Sequence, residues 1–179
     1  MEINTDIALL ETIFADWKSV IGADYLAYRN HVYRMVHCCF ALQDCTTDES
    51  DKIIIAAAFH DLGIWIDQTL DYIGPSLPPA LRYLSENGLE TWSDEISLMI
   101  SEHHKLSKYS NEKYPLVELF RKADLVDFSL GLVRFGLPKS YLSALNKAFP
   151  NEGFHKGLAK KAGKWFLRHP FNPAPMMKW

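Results

Sequence analysis

This sequence is short of several things, and each shortage excludes a class of protein. Its longest apolar run, Ile53 to Phe59, falls far short of the ~20 residues that span a bilayer. No membrane association is therefore expected. The opening stretch MEINTDIALL lacks the basic segment that begins a secretory signal. There are only three cysteines, Cys38, Cys39 and Cys45, so they cannot all pair within one chain. They read as reduced thiols of a cytoplasmic protein. A cysteine-type zinc site is excluded by the lack of a second cysteine cluster. There is no excess of positive charge either. Nineteen Lys and Arg stand against 22 Asp and Glu, a net charge of −3. A nucleic-acid coat is not expected from that balance. Strand alternation, internal repeats and low-complexity tracts are also missing.

What is present is apolar and helical. Apolar residues make up 48 % of the 179 and aromatics 13 %, which excludes disorder and is enough for a core without staples. One domain is expected over 1–179, with a motif core at 24–131 and C-terminal helices and tail at 138–179. Ile7, Leu10, Phe14, Trp17 and Val20 recur at helical steps after a possible cap at Asn4 or Thr5. A second helix is expected from Asp24 to Leu42. A third starts near Thr47 or Asp48, carries IIIAAAFHD, and has Gly63 as its expected stop. Ser76 before Pro78 and Pro79 marks a helix over Pro79 to Asn87 with Gly88 beyond it. Ser93 is the expected cap of the next, which has Asp94 and Glu95 in its first turn. Pro115 opens PLVELFRKADLVDFSL, ending near Gly131. Two more helices are expected at Ser140 to Ala148 and Glu152 to Leu167. The tail HPFNPAPMMKW reads as extended. Its Met176, Met177 and Trp179 point to packing against the body or a partner, with a homodimer as one outcome. LAKKAGKWFLRH is basic and amphipathic, which suits a solvated helix or contact with an anionic surface. The fold class is all-α.

Three groups carry chemistry: His31, the pair His60-Asp61, and Asp124. Each falls on the apolar side of an expected helix. His31 shares a face with Ala27, Tyr28 and Met35. His60 follows Ile53, Ala56 and Ala57, and Asp124 follows Val117 and Phe120. A carboxylate on an apolar face is costly unless paired or bound to a metal. Two imidazoles and two carboxylates suit Mn²⁺, Fe²⁺, Mg²⁺ or Zn²⁺, with Co²⁺ and Ni²⁺ not separable from these. Taken singly, each group also has a plain structural reading. His60 and Asp61 can end a helix, and Asp124 can pair with Lys122 or Arg121.

The order His, His-Asp, Asp resembles the HD-domain superfamily of metal-dependent phosphohydrolases. YRNHVYRMVHCCFAL resembles the family's first-histidine helix. AAAFHDLGIW resembles its small-residue run into His-Asp, and RKADLVDF its late aspartate helix. The resemblance spans about Asp24 to Gly131. It implies a compact helical bundle with one divalent ion at its centre, held by His31, His60, Asp61 and Asp124. It also implies metal-activated water attacking a phosphate ester of a small molecule, a nucleotide or a sugar phosphate.

Other residues are assigned around that core. SEHHKL supplies Glu102, His103 and His104 as acid, base or substrate contacts beside Asp61. The two separated histidines of two-metal members are replaced by this adjacent pair. Ile64 and Trp65 stand where several HD nucleotidases carry a carboxylate, leaving Asp67 as the nearest acid. Lys105 and Lys122 are the expected phosphate contacts. Trp65 and Tyr72 form a possible aromatic wall, with Tyr25, Tyr28, Leu106 and the 107–113 loop as further pocket formers. Asp127 can orient a ligand or pair with Arg121 or Arg134. His37 reads as structural, and His155 and His169 lie beyond the motif. The alternatives to a phosphohydrolase are an HD hydrolase or hydratase acting on a non-phosphate bond, a di-iron oxygenase, and a metal-braced binding module.

Overall fold

A computed structural model describes residues 3–177. Trp179, named above as an apolar tail residue, lies outside them. The chain forms α1 (Ala8–Ile21), α2 (Tyr25–Leu42), α3 (Thr47–Phe59), α4 (Gly63–Ile66), α5 (Ile73–Glu86), α6 (Ser93–Glu102), α7 (Pro115–Phe128), α8 (Lys139–Ala148) and α9 (Phe154–Arg168). Among the described residues there is no strand, so the all-α expectation holds. No helix among them is long and apolar enough to cross a membrane.

Local chemistry sets several of these elements. Thr46 and Glu49 form a reciprocal capping box at the start of α3, satisfying two amide donors that the first turn leaves open. Pro115 stands in the first turn of α7, where its missing N–H costs nothing. Ile53 to Phe59 are buried on every side, so α3 runs through the centre of the bundle. It packs against α1, α2, α5 and α6, and α2 lies along α7. The late His-Asp pair and the middles of α2 and α7 therefore meet inside the molecule.

Three expectations about helix ends are corrected. Gly63 does not stop α3, which ends at Phe59; it opens the short α4. A Cβ on Gly63 would lie 2.2 Å from the Tyr72 carbonyl oxygen and 2.9 Å from Pro75 Cβ. Its role is close approach of two backbones rather than termination. The helix expected from Pro79 begins earlier, at Ile73, and carries Pro78 and Pro79 in its second turn. Ser76 is not its cap. It is buried within α5, and its Oγ accepts the Gly63 N–H at 2.9 Å. Ser93 likewise makes no side-chain cap and is the first residue of α6.

Candidate metal centre

The end of α3 delivers His60 and Asp61 to the centre, α2 delivers His31, and α7 delivers Asp124. His103 follows α6. All five are buried. His31 Nε2 lies 3.1 Å from His60 Nε2, 3.7 Å from Asp61 Oδ2 and 3.6 Å from Asp124 Oδ1. His60 Nε2 lies 3.3 Å from Asp61 Oδ2. Adjacent ligands of one ion with bonds of ~2.1 Å stand roughly 3.0 Å apart in an octahedron and 3.4 Å apart in a tetrahedron. The spacings lie close to that range.

Proton bookkeeping points the same way. His60 Nδ1 donates to the Ala57 carbonyl at 2.8 Å, and His103 Nδ1 donates to the Ile100 carbonyl at 2.7 Å. His31 Nδ1 donates to the Asp127 carboxylate at 2.7 Å. In the neutral ring each Nε2 is then a bare lone pair. Burial holds the His31 imidazolium in check, against the pull of Asp127. Two acceptors 3.1 Å apart need a proton or a cation between them. A proton shared by His31 and His60 would leave the remaining acceptors unserved. His103 Nε2 and Asp61 Oδ1 are both buried and have no hydrogen-bond partner among the described residues, and they face each other at 3.5 Å. Burying such groups unsatisfied is costly. The donor set fits a divalent ion: neutral imidazole nitrogens and carboxylate oxygens converge, and no side-chain cation competes for them.

Two groups could hold an ion, His31 with His60 and Asp61, and Asp61 with His103 and His104. They share Asp61. The adjacent histidine pair therefore reaches the centre. Burial opposes the charge of Asp61, and positive charge at the facing His60 and His103 nitrogens holds its carboxyl well below the usual range, a part that an ion takes over when those nitrogens are bare. Burial pushes Asp124 up to about 7, opposed by His103 and aided by the Asp61 charge. A bound cation would favour the ionised form of both.

Asp127 supports this set from behind. One oxygen takes the His31 proton, and Arg34 Nη2 also donates to it at 2.8 Å. Arg34 Nε donates to the other at 2.5 Å. Arg34 is 1 % exposed and also donates to the Phe149 carbonyl at 2.9 Å. Burial works against the Asp127 charge, but His31 and Arg34 hold its carboxyl below the usual range. Asp127 thus holds the His31 ring and Arg34, and Arg121 pairs with Glu118 instead. Asp124 pairs with neither Lys122 nor Arg121. Arg34 is a buried partner of Asp127.

The remaining sequence assignments divide sharply. His104 lines a cavity together with His31, Asp61, Tyr72 and Asp124. Its Nε2 meets the Tyr72 hydroxyl at 2.5 Å, and its Nδ1 lies 3.7 Å from Asp124 Oδ2. Glu102 and Lys105 lie off this cavity and face each other at 3.9 Å. Lys122 sits 3.8 Å from Glu118 and over the Phe135 ring. Trp65 packs on Tyr28, with ring centroids 4.6 Å apart, and its indole N–H donates to Asp24. Asp67 is exposed in a separate groove beside Trp17 and Pro75. None of these five lines the cavity at the centre. Among the expected pocket formers only Tyr72 does.

The cavity's other walls come from α9 and the tail, which the motif did not include. Phe154 stacks on His31 at 4.2 Å. His155, set aside by its position in the sequence, lines the cavity and donates from Nε2 to the Asp127 carbonyl at 3.0 Å. Phe154, Leu158 and Ala162 all line it, as do Met176 and Met177 of the tail. Their four-residue spacing along α9 is the signal that could have found them. Comparisons with models of protein families, with curated proteins and with solved structures each found no match.

Proposed function

We propose that this chain is a metal-dependent hydrolase of the HD type. The observation that carries the reading is the convergence of bare imidazole nitrogens and carboxylate oxygens on one buried point, with Asp61 Oδ1 and His103 Nε2 left unpartnered. His31, His60, Asp61 and Asp124 hold the ion. A divalent ion bound there would supply Lewis acidity and an acidified water. Asp127 fixes the His31 ring and its tautomer. His104, bonded to Tyr72 and facing the cavity, is the group placed to pass a proton to or from a substrate. Tyr28 and Phe154 close the apolar shell around His31.

The HD resemblance implies a phosphate ester as substrate. The cavity favours the second reading, an uncharged bond such as an amide, ester or nitrile. One divalent ion and the two carboxylates Asp61 and Asp124 sum to no charge. Among the described lining residues there is no Lys or Arg to receive a phosphate. The basic side chains Lys161, Lys164 and Arg168 line a different groove of α9. A second ion at Asp61, His103 and His104 would restore positive charge and favour the phosphate reading.

The test is turnover by metal-stripped protein given Mn²⁺, assayed for phosphate from phosphate esters and for ammonia or acid from amides, nitriles and esters. An Asp61→Ala variant is the control. Metal-dependent turnover that the variant lacks supports the hydrolase, and the product identifies the bond. Stoichiometric metal binding with no turnover on either set would favour a metal-braced binding module.

A further inference from the structure

The metal centre opens into a cavity of ≈ 350 Å³, at the small end of the range for ligand sites. Its floor is polar: His31, Asp61, Tyr72, His104 and Asp124. Apart from His155 its sides are apolar, and Leu70, Phe128, Phe154, Leu158, Ala162 and Met177 carry most of them. This is an asymmetric container, reactive at one end and greasy along its length. With one divalent ion the charges of Asp61 and Asp124 are cancelled, so an anion inside it would meet no net positive charge, and the lining offers no ammonium or guanidinium among the described residues. A polar, strongly hydrated body would lose water against Leu158, Ala162 and Met177 without gaining a hydrogen bond. An alkyl or aryl body would instead release water from both surfaces.

We infer that the substrate of this site carries an uncharged apolar body, a short alkyl chain or an aryl ring, joined directly to the group that reacts at the metal centre. This rests on the hydrolase reading and adds to it the part of the substrate that does not react. The apolar body lies along the Phe154, Leu158 and Ala162 row of α9, under Met177 of the tail, and the scissile group reaches His104 and Asp124. Specificity is then set by α9 and the tail, which lie outside the motif that carries the metal ligands.

The experiment uses the full chain loaded with Zn²⁺ and three hydroxamic acids as probes, whose common head chelates a metal. They are acetohydroxamate, hexanohydroxamate and the six-carbon analogue ending in a carboxylate. Dissociation constants are measured by titration calorimetry. Each buried methylene is worth about fourfold in affinity. The four added methylenes are worth up to about 250-fold when all are buried, so hexanohydroxamate is expected to bind at least about 30-fold tighter than acetohydroxamate, and the carboxylate analogue no tighter than acetohydroxamate. Ala162→Phe, which fills the row, is expected to remove the gain from chain length. Equal binding of the short and long probes, or tightest binding of the carboxylate analogue, would overturn the inference. If the chain does not load with metal, or no probe binds, the hydrolase reading fails. The cavity is then judged without metal, from methyl spectra of ¹³C-methionine-labelled protein. A shift of the Met177 signal by 1-hexanol and not by hexanoate upholds the apolar body. The reverse, or no shift by either, overturns it.

Discussion

Asp127 binds His31 and Arg34 at once. One of its oxygens lies 2.7 Å from His31 Nδ1, and the guanidinium of Arg34 grips both. The buried charge of Arg34 is thereby neutralised, and the His31 ring is turned so that Nε2 faces His60. Asp127 thus ties the stability of the α2 and α7 pair to the aim of His31, a ligand in the proposed metal site. Asp127→Asn keeps an acceptor for His31 but leaves the Arg34 charge unpaired. Breaking a buried ion pair from one side costs about 3–5 kcal/mol. Losing such a supporting carboxylate weakens metal binding roughly 10- to 100-fold. Urea unfolding of the metal-free protein and a metal titration are expected to show both losses. A variant that keeps wild-type stability and affinity would separate Asp127 from the site.

Gly63 is a packing point. With the Tyr72 carbonyl 2.2 Å from where its Cβ would be, Gly63→Ala must push apart α4 and the start of α5. Ser76 would lose its bond to the Gly63 amide in the same movement. The expected cost is about 2–4 kcal/mol, read as a lower denaturant midpoint. A change within about 0.5 kcal/mol would mean the two segments can separate freely.

The thiols differ in reach. Burial pushes the Cys38 and Cys39 thiols far up. Cys45 is half-buried, and its thiol is raised by burial and by Glu49 and Asp44. The thiolate is the reactive form. Iodoacetamide at pH 8 is expected to label Cys45 slowly, and faster as the pH is raised toward 9. Cys38 and Cys39 are expected to stay unlabelled until the protein unfolds. Mass spectrometry of peptides counts the labels, and early labelling of Cys38 would contradict their burial.

Asp61 has an oxygen on each side of the centre. A metal titration is expected to fill the His31, His60 and Asp61 group first, because it is the more deeply buried of the two and Asp124 stands 3.6 Å from its His31. Any weaker second equivalent must draw on Asp61, His103 and His104. His103→Ala is therefore expected to leave the first equivalent intact and to remove any second. Loss of the first equivalent in that variant would instead place His103 among its ligands.

Much of the centre was legible in the sequence, because its residues occupy apolar faces of strongly periodic helices. His31, His60 and Asp61 could be read from spacing and order, and the fold brings them together, with Asp124 beside His31. The cavity could not be read that way. Phe154 meets His31 across more than a hundred residues of chain, and no local pattern encodes that contact. The expected phosphate contacts Lys105 and Lys122 rest on nearness in sequence to the histidine pair and to Asp124. Lys122 stands on another face of α7 from Asp124, Lys105 lies beyond the end of α6, and both lie beside glutamates. Arg34 shows the same limit, since a guanidinium on a helix looks exposed until a buried carboxylate from another helix is found opposite it. Gly63 and Ser76 were read as punctuation. Their roles come from the contact between α4 and α5, which is tertiary.

The measurement that bears most directly on the central claim is a titration of metal-stripped protein with Zn²⁺ and with Mn²⁺, run on the wild type and on His60→Ala and Asp61→Ala. Circular dichroism on each sample checks that the helices remain. The account predicts at least one tightly bound ion per wild-type chain, and a loss of that tight binding in both variants with helix content kept. A wild-type chain that takes up no ion, or an Asp61→Ala chain that binds as the wild type does, would contradict it.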